Sequence, residues 1–207
     1  MSWSVWLSLV VTGVLISFTP GAGAINTMAN SLGVGWTRSI WGILGQQIAL
    51  VIHIVVVAAG LGVLVASSPA LFSVIRYAGA GYLVYLGVRQ WLARTTTDDG
   101  EPTTTRTRTP SAMLRRGILV NLTNPKAVVF FLAFIPQFTR PDRPLLPQYL
   151  VLAATIVVID VVVMWCFFAT AARGLRRITG TPRGQRAMNR TFGGLFVGVG
   201  LLLAAAH

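Results

Sequence analysis

Two charged side chains lie deep inside otherwise apolar stretches of this chain. Lys126 falls in GILVNLTNPKAVVFFLAFIP (residues 117–136), and Asp160 in a run from about 145 to 172. A charge near the centre of a bilayer costs at least ~2.5–3.5 kcal/mol, so each must face a partner or a wet interior. Lys126 is ten residues from Arg116, about 15 Å at helical rise, and Asp160 is at a similar depth from the far end of its run. Pairing at that depth would offset much of the cost of both. Two readings stay open. One is a structural salt bridge; in the other a zwitterionic solute competes for the pair, its carboxylate toward Lys126 and the amides freed around Asn124, its ammonium toward Asp160. Asp160, the sole acid inside any apolar run, is also the candidate carrier of a coupling proton.

The polar residues around these charges sit where helices must break. Pro125, flanked by Asn121, Thr123, Asn124 and Lys126, removes a backbone hydrogen bond and clashes with the preceding turn. In lipid such a break persists only where protein or a water-filled cavity satisfies the freed groups. Thr19-Pro20-Gly21-Ala22-Gly23 interrupts the first apolar run in the same way. Asn26 and Asn30 follow one turn apart on a common face; Asn26 is either part of the path or an interhelical hydrogen-bonder, and Asn30 reads as the latter. Gln46, Gln47 and His53 lie in the second run. His53 is either second in a proton relay or a helix–helix hydrogen bond.

Those residues need a membrane bundle to position them. With 54% hydrophobic and 11% charged residues and a mean hydropathy of +0.70, the chain is too apolar for a soluble domain of this size. Runs of about 20 apolar residues predict six transmembrane helices, near 5–28, 40–66, 70–91, 117–138, 145–172 and 191–206. Ala22-Gly23-Ala24 resembles a signal-peptide cleavage site, but Met1 to Val5 carries no basic residue, so the first run is expected to be retained. Arg76, less than two turns into its span, can snorkel to the interface.

An internal echo organises the spans. Gly13-Val14-Leu15-Ile16-Ser17-Phe18-Thr19 runs parallel to Gly117-Ile118-Leu119-Val120-Asn121-Leu122-Thr123, and Arg76, Gly79, Tyr82 and Leu83 parallel Arg190, Gly193, Phe196 and Val197. The matches are short, so chance similarity between apolar segments competes with duplication. Duplication predicts an all-α polytopic membrane protein of two three-helix repeats, residues 1–93 and 112–207, with helices 1 and 4 broken. A Thr-rich linker at 94–111, nearly free of apolar residues, joins them. Placing both termini outside the cytoplasm puts roughly thirteen of the seventeen basic residues inside and about two outside, the expected bias. Repeats with an odd number of spans are then inverted, with a site near the midplane.

Several function classes are excluded. The formal charge of +12 sits at the ends of apolar runs, so it orients the chain and forms no nucleic-acid face. Cys166 is the single cysteine, which rules out an internal disulfide or thiol relay. One deep His and one deep Asp without ligand spacing make neither a metal cluster nor an enzyme site, and no cofactor is expected. A lone deep acid and a deep Lys do not build a channel filter. A non-transporting membrane subunit stays open, as does a homo-oligomer.

The runs Thr19-Pro20-Gly21-Ala22-Gly23-Ala24-Ile25-Asn26-Thr27-Met28 and Val120-Asn121-Leu122-Thr123-Asn124-Pro125-Lys126, with Pro136-Gln137-Phe138, closely resemble the lysine-exporter/threonine-exporter (LysE/RhtB) family. So do Ile52-His53-Ile54, Tyr77-Ala78-Gly79-Ala80-Gly81-Tyr82-Leu83 and Val158-Ile159-Asp160, so that the resemblance covers almost the whole chain apart from the linker. The resemblance implies a multi-pass exporter in the bacterial inner membrane, run on the proton gradient. It implies small neutral amino acids and derivatives as substrates: homoserine, homoserine lactone and threonine. Leucine-like or basic amino acids are the alternative within the family. Many relatives carry Pro-Gly-Pro at the first break where this chain has Pro20-Gly21-Ala22, a looser turn that bears on substrate preference.

Overall fold

The computed structural model describes residues 1–67, 69–93, 109–124, 127, 130–131, 134–140, 142–179 and 181–205. Pro125, Lys126 and most of the expected linker lie outside these residues, as does the side chain of Arg76. Among the described residues the regular structure is all helical.

Helix α1 (Trp3–Phe18) starts at Ser2, whose hydroxyl accepts from the Val5 amide, and stops where Thr19 turns extended. Pro20 has no amide hydrogen to continue the ladder. Helix α2 (Ala22–Val34) restarts behind extended Gly21, and the pair is bent by 59°. Gly35, at φ 90°, ends α2 in a conformation that a side chain would resist. The helical course therefore reaches Val34, beyond the expected end near 28.

A short turn at Thr37–Ser39 leads into α3 (Ile40–Ser67), followed by α4 (Pro69–Trp91). Helix α5 (Pro110–Leu122) has Pro110 at its first position, and the Thr109 hydroxyl accepts from the Ala112 amide. It stops at Thr123; Ala127, Phe130, Phe131 and Phe134 are helical again, ahead of a 3₁₀ turn at Ile135–Phe138. Helix α6 (Leu145–Val162) widens into a π-helical stretch, Val163–Ala169, and continues as α7 (Thr170–Thr179). Helix α8 (Pro182–Ala205) begins earlier than the expected 191 because Pro182 can open a helix through the basic segment.

By length and composition, Thr37–Gly60 and Leu145–Gly174 can each cross a membrane, as can the bent α1–α2 pair taken as one span. Helices α4 and α8 have 23 and 24 residues. Val55, Val56 and Val158 are 59–61% exposed, an apolar exterior that lipid would cover.

Close backbone approach holds the bundle together. Helices α4 and α8 touch at Gly87 and Gly193: a Cβ on Gly87 would lie 2.6 Å from the Gly193 carbonyl oxygen and 2.8 Å from the Val197 nitrogen. Small residues at such crossings let dispersion and backbone contacts replace the missing hydrophobic drive. Gly87→Ala is therefore expected to cost about 1–3 kcal/mol, read as a lower Tm in detergent. Gly81→Ala, on the same helix but with nothing within 4 Å, should not lower Tm. Equal Tm for the two variants would refute the contact. Above the breaks, Phe130, Phe134 and Phe138 form a buried ladder with centroids 4.4 and 4.3 Å apart.

Candidate functional site

Where the two breaks meet, a cavity of about 80 Å³ opens, several times the ~10–15 Å³ that one water needs. The first break contributes Thr19, Gly21, Gly23 and Ala24; the second contributes Asn121, Asn124 and Ala127. Ser17, Gln46 and Asp160 add polar walls, while Leu50, Phe130, Phe131 and Ile156 add apolar ones. An apolar pocket with few converging polar groups is the usual form of a small-solute site.

Asp160 joins three helices. Its Oδ1 accepts from the Ser17 hydroxyl of α1 at 3.1 Å, and its Oδ2 accepts from Gln47 Nε2 of α3 at 2.7 Å. Three residues later the π-helical stretch begins, a defect that commonly marks functional positions. Its far end is clasped to α2. Trp36 and Trp165 stack at 4.7 Å, and each ring nitrogen donates to the other residue's carbonyl, at 3.1 and 3.3 Å. The Ser31 hydroxyl donates to the Ala169 carbonyl at 2.6 Å. The helix carrying Asp160 is thereby tied to the second half of the first broken span.

Gln46 is the second junction. Its Nε2 donates to the Gly23 carbonyl at 3.2 Å and to the Thr27 hydroxyl at 3.0 Å, while its own carbonyl accepts from Asn121 Nδ2 at 3.0 Å. One residue of α3 thus holds both broken spans. The first amides of α2, just past Gly21, have no partner within their own helix, and that end carries the positive pole of the helix dipole.

Of the residues singled out from the sequence, Asp160, Asn121, Asn124, Gly21 and Gln46 line this cavity. Pro20 lines an adjoining cleft instead. Thr123 is exposed and donates its hydroxyl to the Leu119 carbonyl at 2.7 Å, away from the cavity. His53 is buried behind the wall, stacked on Phe131 at 5.9 Å. Asn26 is buried on the α3 side of α2 near Gly42. Among the described residues, neither amide atom of Asn26 nor Gln47 Oε1 has a hydrogen-bond partner; buried groups of this kind call for water. Lys126 and Pro125 lie outside the described residues. Sequence reasoning overlooked Ser17 although the echo pointed to it, since Ser17 corresponds to Asn121. It named Gln47 without assigning it a role.

Interrupted apolar helices around a small cavity with a few converging polar groups, and a carboxylate at the helix junction, define a membrane translocator of small solutes. The LysE type translocator family matches residues 14–207, and the chain belongs to that family of amino-acid efflux transporters. It is 43% identical over 207 residues, covering 100% of this chain and 99% of the relative, to a protein of Salmonella typhimurium named homoserine/homoserine lactone efflux protein. It is also 43% identical over 206 residues, with 100% and 99% covered, to an uncharacterized membrane protein of Vibrio cholerae. A leucine efflux protein of Salmonella choleraesuis is 29% identical over 198 residues, with 94% and 92% covered. No solved structure matches the chain.

Proposed function

We propose that this protein exports small neutral amino acids and close derivatives (homoserine, homoserine lactone and threonine) from the bacterial cytoplasm in exchange for protons. The observation that carries the proposal is the placing of Asp160 in one cavity with both helix breaks. A free amino acid brings one carboxylate, one ammonium and a short side chain. The ammonium goes to Asp160. The carboxylate goes to the first amides of α2 and to Lys126, whose assignment rests on its place in the sequence. Ser17, Thr19 and Asn121 suit a hydroxylated side chain, and a 43% identical relative carries the homoserine name.

The proposed architecture is six spans in two inverted repeats, 1–93 and 112–207, joined by a cytoplasmic linker at 94–111. The protein sits in the inner membrane with both termini outside. Ser17 and Asn121, equivalent in the echo, both face the cavity, which supports the repeat. In this topology the Phe130–Phe134–Phe138 ladder closes the outer side, and α7 and the basic start of α8 face the cytoplasm.

The test is efflux from cells preloaded with labelled homoserine or threonine, against empty vector, at matched membrane expression. Export above the vector rate is expected, with loss in Lys126→Ala. Export of leucine in place of homoserine would move the chain to the leucine branch of the family. No export of any amino acid would favour a non-transporting subunit.

A further inference from the structure

A second cleft, of about 360 Å³, adjoins the cavity. It is lined by Pro20, Gly21 and Asn124 of the breaks and by Arg89, Gln90 and Ala93 on the last turns of α4 and just beyond. Gly21 and Asn124 line both spaces. The two breaks are therefore a shared wall between this chamber and the cavity that holds Asp160. The chamber's mouth is held in place from α8. Gln90 Nε2 donates to Asn189 Oδ1 at 2.9 Å, Asn189 Nδ2 donates to the Ala93 carbonyl at 3.5 Å, and Asn189 is 8% exposed.

Arg89 is the one charged side chain among the described residues that line this chamber. An arginine near a helix C-terminus complements the dipole, and on the cytoplasmic side it also serves orientation. Neither role requires it to face a chamber that ends at the helix breaks. A guanidinium binds a carboxylate through two parallel charge-assisted hydrogen bonds.

We propose that this chamber is the cytoplasmic vestibule of the transporter and that Arg89 determines specificity there, receiving the α-carboxylate of a free amino acid before it passes the breaks. The assignment rests on the export function and topology proposed above. It separates two substrates of that proposal, because homoserine has a carboxylate and homoserine lactone has none.

The experiment is uptake into inverted membrane vesicles, whose cytoplasmic face is outward, of labelled homoserine and of labelled homoserine lactone. Wild type, Arg89→Gln and Arg89→Lys are compared. Arg89→Gln should raise the KM for homoserine about tenfold with the maximal rate within about twofold, and leave lactone uptake unchanged. Arg89→Lys should recover part of the homoserine KM. Lactone uptake at the wild-type rate also shows that the variant is folded. An unchanged homoserine KM in Arg89→Gln, an equal loss for both compounds, or a wild type that carries only the lactone overturns the role of Arg89 and leaves export standing. A wild type that carries neither compound overturns the export proposal and this assignment together.

Discussion

Asp160→Asn is expected to bring pH-gradient-driven export down to the vector rate while the folded protein stays in the membrane. The substitution is nearly isosteric, and the hydrogen bonds from Gln47 and Ser17 can be remade. Gln47 Nε2 can donate to the amide oxygen, and the Ser17 hydroxyl, a donor to Asp160 Oδ1 at 3.1 Å, can turn to accept from the new amide nitrogen. The variant is therefore expected to stay folded, which its Tm in detergent checks. What disappears is the negative charge and the ability to take up and release a proton. Exchange of labelled for unlabelled homoserine across the membrane requires no net proton movement. At saturating solute that exchange should survive in Asp160→Asn, since the amide oxygen still accepts from an ammonium group. Loss of driven flux with retained exchange makes Asp160 the proton carrier. If both are lost, its role is to bind the solute, and the proton must ride elsewhere, His53 being the next group to change. Driven export at the wild-type rate would sink both roles.

Gly117→Val should remove folded protein altogether. A Cβ at Gly117 would run into the Gly42 carbonyl oxygen and come within 3.1 Å of the Gly42 carbonyl carbon and the Gln46 nitrogen. All three are backbone atoms of α3, which cannot rotate aside. From the other side, a Cβ at Gly45 would strike the Leu114 carbonyl and lie 3.0 Å from the Ile118 nitrogen. The α3–α5 crossing is thus in backbone contact over more than one turn, and a valine must push the helices apart. That separation also pulls Asn121, one turn further along α5, off the Gln46 carbonyl. The cost should reach or exceed the upper end of the ~1–3 kcal/mol usual for overpacking. Size-exclusion chromatography in detergent should show aggregate for the variant and one sharp peak for wild type. Gly33→Ala, with nothing within 4 Å, is the matched control. A monodisperse Gly117→Val with wild-type Tm would disprove the close crossing.

Membrane character, the place of the first break and the family are all legible in the residues alone. Composition decides whether a chain can be solvated by water or by lipid, and proline breaks a helix locally wherever it stands in one, as at Thr19-Pro20-Gly21. The Asn-Pro-Lys run and its flanks were specific enough to point to the family that matches residues 14–207. The bounds of α3 and α4 were close to those expected for the same reason: long apolar runs ended by Ser67 and by the polar segment after Trp91. The tertiary structure alone decided which polar residues meet. Helices made for lipid are apolar on every side, so no amphipathic stripe marks the inner face. Thr123 and Asn124 are neighbours in sequence, yet one faces outward and the other lines the cavity. Ser17, Gln47 and Asp160 come together across 143 and 113 residues. Backbone contact at Gly42, Gly45 and Gly117 fixes how α3 and α5 cross, and thereby seats Asn121 against Gln46. The π-helical stretch after Asp160 had no proline or glycine to announce it; its clasp to Trp36 and Ser31 is a contact between elements far apart in the chain. Local covalent chemistry wrote the breaks into the sequence, and long-range packing chose the side chains that fill them.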